Sequence, residues 1–399
     1  MKQKTNSFNS LLLVVIILSV SVQQADAIPA FARKYQISCQ VCHSPAPRLK
    51  PFGDTFAADG YRLTEYESPR YFIQAGDDRL SLFRELPIAV RFDGITSIDF
   101  GGSKRVNFGA PFIMKIMSGG ELSEKLSYYF YFLMSEAGEM VGVEDAFIMY
   151  RDLFGTGVSI YAGQFQVCDP IYKRENRLTI EDVRIITTTP GNSASGLTYD
   201  RGFMFDYEIP KLKTHFVAEI LNGSGIGPAG NNLMFDKDKY KNFMGRISQP
   251  IGTFLDLGIF GYSGKEIINE VPELINNRIT IFGPSINLDF NEKLIIRLQY
   301  AKRIDSDVFN EADNSSYQDI STQGAYAEAI LNPKGDMSKW YFTGLLNWVD
   351  SDLNDLDYKS ATFHTGFNAR RNVRLFSELS WIAAEEKYAK LSLGFMSAF

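Results

Sequence analysis

Apolar and polar side chains alternate along the chain from about residue 86 to the C-terminus. Phe203 and Phe205 fall on one face of such a segment, while Met204 and Asp206 fall on the other. A repeat of two residues is typical of a β-strand, whose successive side chains point to opposite faces. The segments are close to the roughly 9 to 11 residues with which a tilted strand crosses a bilayer. The pattern predicts about 16 strands between residues 86 and 399.

The links between these segments alternate between short and long. The short links lie at residues 210–212, 249–252, 291–292 and 369–371, and the long polar links lie at residues 167–200, 222–239, 263–277 and 304–320. Outer-membrane barrels have this arrangement of short periplasmic turns and long extracellular loops. We therefore predict an all-β fold, a transmembrane antiparallel β-barrel of about 16 strands with both termini in the periplasm. A large soluble β-domain is the alternative.

The N-terminus has the features of a secretory signal peptide. Two lysines precede an apolar run over residues 11–22, and the small-residue sequence Ala-Asp-Ala follows at residues 25–27. The apolar run is shorter than the roughly 20 residues that a membrane-spanning helix requires. We expect residues 1–27 to be removed on export, so that the mature chain begins at Ile28.

The most specific motif of the chain is Cys39-Gln40-Val41-Cys42-His43. Two thiols one helical turn apart can add to the two vinyl groups of haem, and the adjacent imidazole can reach the iron. A disulfide between the cysteines, a thioredoxin-type redox pair and half of a zinc site are the alternatives. The redox pair lacks a surrounding βαβ pattern, and zinc lacks a second ligand pair. The motif therefore predicts one covalent haem c, with His43 as the proximal ligand.

The haem-binding segment is short. We assign residues 28–76 to it and residues 77–85 to a linker that leads into the barrel. About fifty residues are fewer than a self-sufficient haem domain normally has, so the segment needs support from the haem or from the barrel. His43 is its only histidine and it contains no methionine, so the segment lacks both common sixth ligands. We expect it to dock at or in the lumen.

Histidine and methionine, the two common sixth ligands, are available in the barrel. Strand alternation places two histidines, His215 and His364, on the inner face, together with Met117, Met149, Met204, Met244 and Met396. Because neutral imidazole is a common iron ligand, the two histidines are the candidate distal ligands. Packing within the lumen, a five-coordinate iron, or ligation by lysine, tyrosine or the mature amine are the alternatives.

The link at residues 167–200, between the fifth and sixth predicted strands, carries many charged side chains of both signs. Mixed charge is typical of a solvated loop, but by analogy with porins the segment is a candidate for folding inward as a constriction. Its carboxylates are candidate ligands of a hard cation, although the sequence gives no ligand geometry. Cys168, at its start, is interpreted as a buried or unreacted thiol.

Composition limits the remaining chemistry. The chain has 399 residues, of which 45% are hydrophobic and 22% charged, with only three histidines and three cysteines. Six such side chains are too few for the protein to bind metal ions at many separate sites. The net charge is −6 and no stretch is dense in lysine and arginine, which excludes a surface that tracks nucleic-acid phosphates.

Two regions resemble a known family. The N-terminal phrases are Phe31-Ala32-Arg33, Ser38 to His43, Pro51-Phe52-Gly53 and Gly60-Tyr61, and the barrel phrases are Glu144-Asp145-Ala146, Gly163 to Val167, Asp169-Pro170, Lys173-Arg174-Glu175 and Tyr199-Asp200-Arg201-Gly202. They resemble the outer-membrane cytochrome-porin fusions, a family that includes the outer-membrane cytochromes of iron-oxidising bacteria. The resemblance implies a monohaem segment fused to a porin-like barrel in the outer membrane of a Gram-negative bacterium.

The haem motif and the barrel pattern together indicate electron transfer across the outer membrane. The donor would be an extracellular reductant such as ferrous iron, and the acceptor a periplasmic c-type cytochrome or another electron carrier. The barrel would contact outer-membrane lipid. The alternative function is a passive diffusion porin whose haem segment is a plug, a sensor or a structural element. A peroxidase-like enzyme has little support, because no distal acid–base pair is evident.

Overall fold

A computed structural model describes most of the chain. The described residues are 30–63, 72–73, 82–83, 87–101, 105–268, 274–310 and 314–399. The predicted signal peptide lies outside them, as does most of the predicted linker. Within the described ranges, no helix is both long enough and apolar enough to cross a membrane.

The described elements are mainly strands. The α-helices are α1 (Ala30–Tyr35), α2 (Pro51–Ala58) and α3 (Arg184–Thr187). Two short paired strands, β1 (Phe72–Ile73) and β2 (Leu82–Phe83), precede the barrel. The barrel strands are β3 (Ile88–Asp99), β4 (Arg105–Glu121), β5 (Leu126–Glu136), β6 (Gly142–Tyr150), β7 (Ser159–Gln166), β8 (Tyr199–Glu208), β9 (His215–Leu221), β10 (Asn242–Ile251), β11 (Leu255–Ile268), β12 (Ile275–Phe290), β13 (Leu294–Asn310), β14 (Ser315–Leu331), β15 (Trp340–Ser351), β16 (Tyr358–Arg370), β17 (Val373–Ala383) and β18 (Lys387–Ala398).

The strands β3 to β18 form one closed antiparallel barrel of 16 strands. Each strand pairs with its neighbours in the chain, and β18 closes the barrel on β3, for example through Phe395 opposite Gly94. Closure leaves no strand edge unpaired, which a structure in lipid requires. The predicted all-β fold and strand number are confirmed. An even strand number also places the start of β3 and the end of β18 at the same end of the barrel.

The two faces of the barrel wall differ in polarity and exposure. On β8, Phe203 is 51% exposed and points outward, while its neighbour Met204 is 6% exposed and points inward. Large apolar side chains such as Leu379, Trp381 and Leu393 are also exposed on the outer face. An apolar outer band is typical of barrels that span a membrane.

The links divide the barrel into two ends. Turns at residues 122–125, 151–158, 209–214, 252–254, 291–293, 332–339 and 371–372 form the end that we call the short-turn end, which also holds the start of β3 and the end of β18. The opposite, long-loop end carries two long loops, at residues 167–198 and 222–241. All four predicted short links overlap one of the short turns.

Two predicted long links are wrong. Most of the described residues within 263–277 and 304–320 lie in strands, because β11 to β14 continue far toward the long-loop end. The polar side chains there form hydrogen bonds with one another on the barrel wall. Arg303 contacts Asp305 at 2.7 Å, and Asn277 donates to Asp305 at 2.8 Å. The polar composition of these residues suggested loops. The strands continue through them instead, because their polar side chains form hydrogen bonds with one another.

Candidate functional site

The cysteine–histidine motif forms a tight turn. Residues Cys39–Val41 form one turn of 3-10 helix, and the Ser38 hydroxyl accepts a hydrogen bond from the Gln40 N–H. The N–H groups of Cys42 and His43 both donate to the Cys39 carbonyl, at 3.3 and 2.9 Å. This turn brings both thiols and the imidazole together. Both cysteines are free thiols, with Cys39 half-buried and Cys42 buried.

Helix α2 packs against the motif. Pro51-Phe52-Gly53 is its first turn, with proline at a favoured position. A Cβ added to Gly53 would lie 2.4 Å from the Cys42 carbonyl oxygen. Only glycine therefore allows the helix to approach the motif so closely.

The segment of residues 30–63, which we call the plug, lies across the short-turn end of the barrel. Its positive side chains meet carboxylates on the turns: Arg48 contacts Asp289 at 3.8 Å, and Lys50 pairs with Asp336. On another side of the barrel, the Tyr61 ring stacks on Tyr129 of β5 with centroids 5.3 Å apart. These contacts place the plug inside the ring of short turns.

The loop of residues 167–198 crosses the lumen from β7 to the opposite wall. Glu378 on β17 accepts hydrogen bonds from the N–H groups of Ile180 and Glu181, at 2.7 and 3.0 Å. Arg303 on β13 donates to the Ser195 carbonyl at 2.8 Å. The loop therefore folds inward as a constriction. Alternation placed Glu378 on the inner face, but no signal in the sequence identified its partners.

A large cavity lies between the plug and the inner wall. It encloses about 1730 Å³ of atom-free space, including its opening to solvent, and its lining is mostly apolar. Cys39, Cys42 and His43 all line it. The structure thus brings the three motif residues to the lining of a single cavity.

The His43 ring is oriented by the backbone. Its Nδ1 lies 2.8 Å from the Pro47 carbonyl oxygen, so that Nδ1 donates and Nε2 carries the free lone pair. Histidines that ligate metals commonly have this second hydrogen bond. Burial lowers the pKa of His43 below its usual value, which favours the neutral ring. Burial, together with the neighbouring Cys39, raises the pKa of Cys42 to about 11.

A second cavity follows toward the long-loop end. It encloses about 650 Å³ of atom-free space and is lined by many charged side chains. On β5, Tyr129 lines the first cavity, while Tyr131 and Leu133, which lie farther toward the long-loop end, line the second. Lys115 and Glu175, which are 2.5 Å apart, line both cavities. This ion pair marks the boundary between an apolar and a charged compartment.

The two candidate distal histidines lie elsewhere. His215, near the short-turn end of β9, contacts Asp206 at 2.6 Å. His364 is fully buried in the opposite wall, where its Nδ1 lies 2.9 Å from Glu378 and its Nε2 lies 3.2 Å from the Tyr341 hydroxyl. Neither lines the large cavity. The methionines that do line it are Met117, Met204 and Met396.

The charged residues of the constriction loop form ion pairs with one another. Arg174 and Arg177 contact Asp182 at 2.6 and 3.4 Å. Although burial alone would raise the pKa of Asp182, these two cations lower it to about 2. Among the described residues, no group of three or more histidine, cysteine or carboxylate side chains is arranged to hold a metal ion. Cys168 is fully buried, and burial raises its pKa well above the usual value.

The fold is similar to solved outer-membrane channels. No protein-family profile and no curated protein match the chain in sequence. OmpF of Salmonella typhi, in complex with daunomycin, is 12% identical with a TM-score of 0.59, and the match covers 79% of this chain and 97% of that one. The channel DcaP of Acinetobacter baumannii is 10% identical with a TM-score of 0.56, at 79% and 97% coverage.

An anion-selective porin from Comamonas acidovorans is 10% identical with a TM-score of 0.54, and the match covers 78% of this chain and 98% of that one. These similarities extend over nearly the whole of each solved barrel. At such low identity they establish the fold alone. The chain has the fold of these solved outer-membrane channels, a closed antiparallel β-barrel of 16 strands.

Proposed function

We propose that the protein carries one covalent haem c in its lumen and transfers electrons across the outer membrane. The observation that carries this proposal is the position of Cys39, Cys42 and His43 on the lining of one large apolar cavity inside the barrel. The donor would be an extracellular reductant such as ferrous iron, and the acceptor a periplasmic carrier. In this orientation the short-turn end faces the periplasm. The plug, which begins shortly after the predicted cleavage site, lies at that end.

The residues of the cavity fit a haem. Cys39 and Cys42 would hold it through thioether bonds, and His43 would ligate the iron through its free Nε2. Arg371 also lines the cavity and has no carboxylate partner among the described ion pairs, so it is suited to face a propionate. Bound haem supplies an iron that alternates between the ferrous and ferric states.

The protein orients and insulates this site. The Pro47 carbonyl fixes the plane of the His43 ring by accepting from Nδ1. The barrel wall and the plug surround the cavity with a mostly apolar lining, and burial of this kind is one determinant of reduction potential. Three thioethers, those of Met117, Met204 and Met396, reach the lining and replace the two histidines as the nearest candidates for a sixth ligand.

The charged second cavity provides a route for a small donor. It lies between the long-loop end and the large cavity, and its lining includes Glu136, Glu144 and Glu175 as well as arginines. The hydroxyl of Tyr199 donates to Glu144 at 3.0 Å, which keeps that carboxylate in place at the wall. The lining carries four carboxylates and five cationic side chains, so its polarity, and not a net negative charge, suits it to a small hydrated donor.

Passive diffusion is the second candidate function. It is favoured by the comparisons, since the similar solved structures named above are porins or channels. In that case the plug would be a structural element and the motif would serve another purpose, such as a disulfide. Against it stands the placement of the plug across the lumen.

Covalent haem attachment is tested directly by mass. The full chain is produced together with a cytochrome maturation system, purified in detergent and weighed by mass spectrometry. We expect a mass increase of one haem, and its loss in the double variant Cys39→Ser/Cys42→Ser. The matched control is Cys168→Ser, which replaces a buried thiol outside the cavity and keeps the haem. An unshifted mass in the unmodified protein would overturn the proposal.

Electron transfer and diffusion are separated in two membrane assays. Purified protein in liposomes should pass electrons from an external ferrous donor to an enclosed acceptor, and the rate should fall to background in Cys39→Ser/Cys42→Ser. Planar-bilayer conductance is measured on the same samples. Large open-channel conductance that is equal in both proteins, without haem-dependent electron transfer, would favour the passive porin.

A further inference from the structure

One side of the short-turn end is strongly basic. The turns β12–β13, β14–β15 and β16–β17 are adjacent around the barrel, and they carry a set of exposed cations that we call the basic patch. Its members are Lys293, Lys334, Lys339, Arg370 and Arg371. No described ion pair involves any of them. All except Arg371, which also lines the large cavity, therefore present a full charge to the solvent.

Three carboxylates on this side of the short-turn end contact two cations of the plug. Asp289 contacts Arg48 at 3.8 Å, Glu292 contacts Lys50 at 3.5 Å, and Asp336 also pairs with Lys50. The plug thus brings two cations of its own to the acidic side chains of this rim. The net charge of the region is left positive, in a protein whose overall charge is −6.

The basic patch borders a groove that reaches the motif, since Arg371 lines this groove together with turn residues next to Lys334, Lys339 and Arg370. A groove of about 390 Å³ of atom-free space lies between the plug and these turns, and its lining includes Cys39, His43 and Arg371. The nearby Met337 is 67% exposed, which adds an apolar contact next to the cations. Weak redox encounters use small interfaces, and complementary charge around such a contact guides the partner to it.

We propose that the basic patch is the docking surface for a soluble electron carrier with a carboxylate-rich face. The inference rests on the proposed function, because it is the nearness of the motif that makes this side of the rim useful for electron transfer. The charges steer the partner, and the groove brings its redox centre close to Cys39 and His43. Anionic phospholipid headgroups are the competing occupant, since cations at a membrane rim also contact lipid.

The experiment measures binding rather than electron transfer. The full-length, haem-loaded protein in phosphatidylcholine nanodiscs is titrated with mitochondrial cytochrome c in two forms, unmodified and basic, or succinylated on its lysines and acidic. The test variant is Lys334→Glu/Arg370→Glu. The matched control is Lys211→Glu/Lys213→Glu, which reverses two exposed charges on the β8–β9 turn of the same rim.

We expect the acidic probe to bind at low salt at least about tenfold more tightly than the basic one, and less so as salt screens the charges. The test variant should weaken binding of the acidic probe about tenfold or more, and the control should weaken it much less. Equal affinities in the test and control variants would overturn the docking site. So would unchanged probe binding accompanied by loss of affinity for phosphatidylglycerol vesicles, which would assign the patch to lipid. Haem content, measured on the same samples, reports separately on the proposed function.

Discussion

Gly60 is a sensitive point of the contact between the plug and the barrel wall. Its φ is +71°, and an added Cβ would lie 2.8 Å from the Cβ of Ser127 and 2.9 Å from the Cε of Met149. Both neighbours are 1% exposed on the inner face of the wall, where close packing leaves little room to move. We predict that Gly60→Val displaces the plug while leaving the barrel folded.

The size of the effect has two parts. A side chain in the left-handed region costs about 1 to 2 kcal/mol, and overpacking a tight site costs about 1 to 3 kcal/mol. Together they weaken docking of the plug by about 2 to 5 kcal/mol. Since about 1.4 kcal/mol is a factor of ten, the docking equilibrium shifts by at least about 30-fold.

Amide hydrogen exchange on the full-length protein in detergent measures this shift. The Tyr61 N–H, which donates to the Phe56 carbonyl at 2.9 Å, and the other amides of residues 30–63 should exchange at least about 30-fold faster in Gly60→Val. The matched control is Gly138→Val. That glycine also has a positive φ, of +97°, but an added Cβ would have no atom within 4 Å.

Two outcomes would refute the reasoning. If the plug amides exchange at the same rate in Gly60→Val and Gly138→Val, the contact at Gly60 does not hold the plug. If the amides of the barrel strands accelerate as much as those of the plug, the substitution destabilises the whole fold and not the docking.

Three further predictions concern the lumen. Glu378→Ala removes the acceptor of two loop N–H groups and the carboxylate partner of His364, so amides of the constriction loop should exchange at least about 30-fold faster, for about 2 kcal/mol; unchanged exchange would mean that the loop is held elsewhere. Because the pKa of Asp182 is about 2, below its ordinary 3.8, its contribution to loop stability is complete above about pH 4 and is lost as the pH falls toward 2. Asp182→Asn should abolish this dependence in loop exchange corrected for intrinsic rates. His215→Ala and His364→Ala should each leave the haem absorption spectrum unchanged, and a shifted spectrum in either would show that its imidazole reaches the iron.

Local patterns in the sequence were sufficient for the barrel. Each strand contributes its own alternation, as Phe203 and Met204 show, and short links enforce antiparallel neighbours, so fold class and strand number follow from information within about ten residues. The motif at residues 39–43 is equally local. Polar composition misled at residues 263–277 and 304–320, because alternation and polarity do not reveal whether two polar side chains are paired across strands.

The arrangement of the lumen was decided by contacts between distant parts of the chain. Glu378 holds Ile180 across the barrel, and Lys50 pairs with Asp336 on a turn far along the sequence. Such pairs depend on which inner-face residues the closed barrel brings opposite one another, and no sequence periodicity encodes this. For the same reason, alternation correctly placed His364 on the inner face but could not show that its ring contacts Glu378 and not the large cavity. The sequence alone determined the wall and the motif, and the tertiary structure determined what faces them, because closure of the barrel sets those distances.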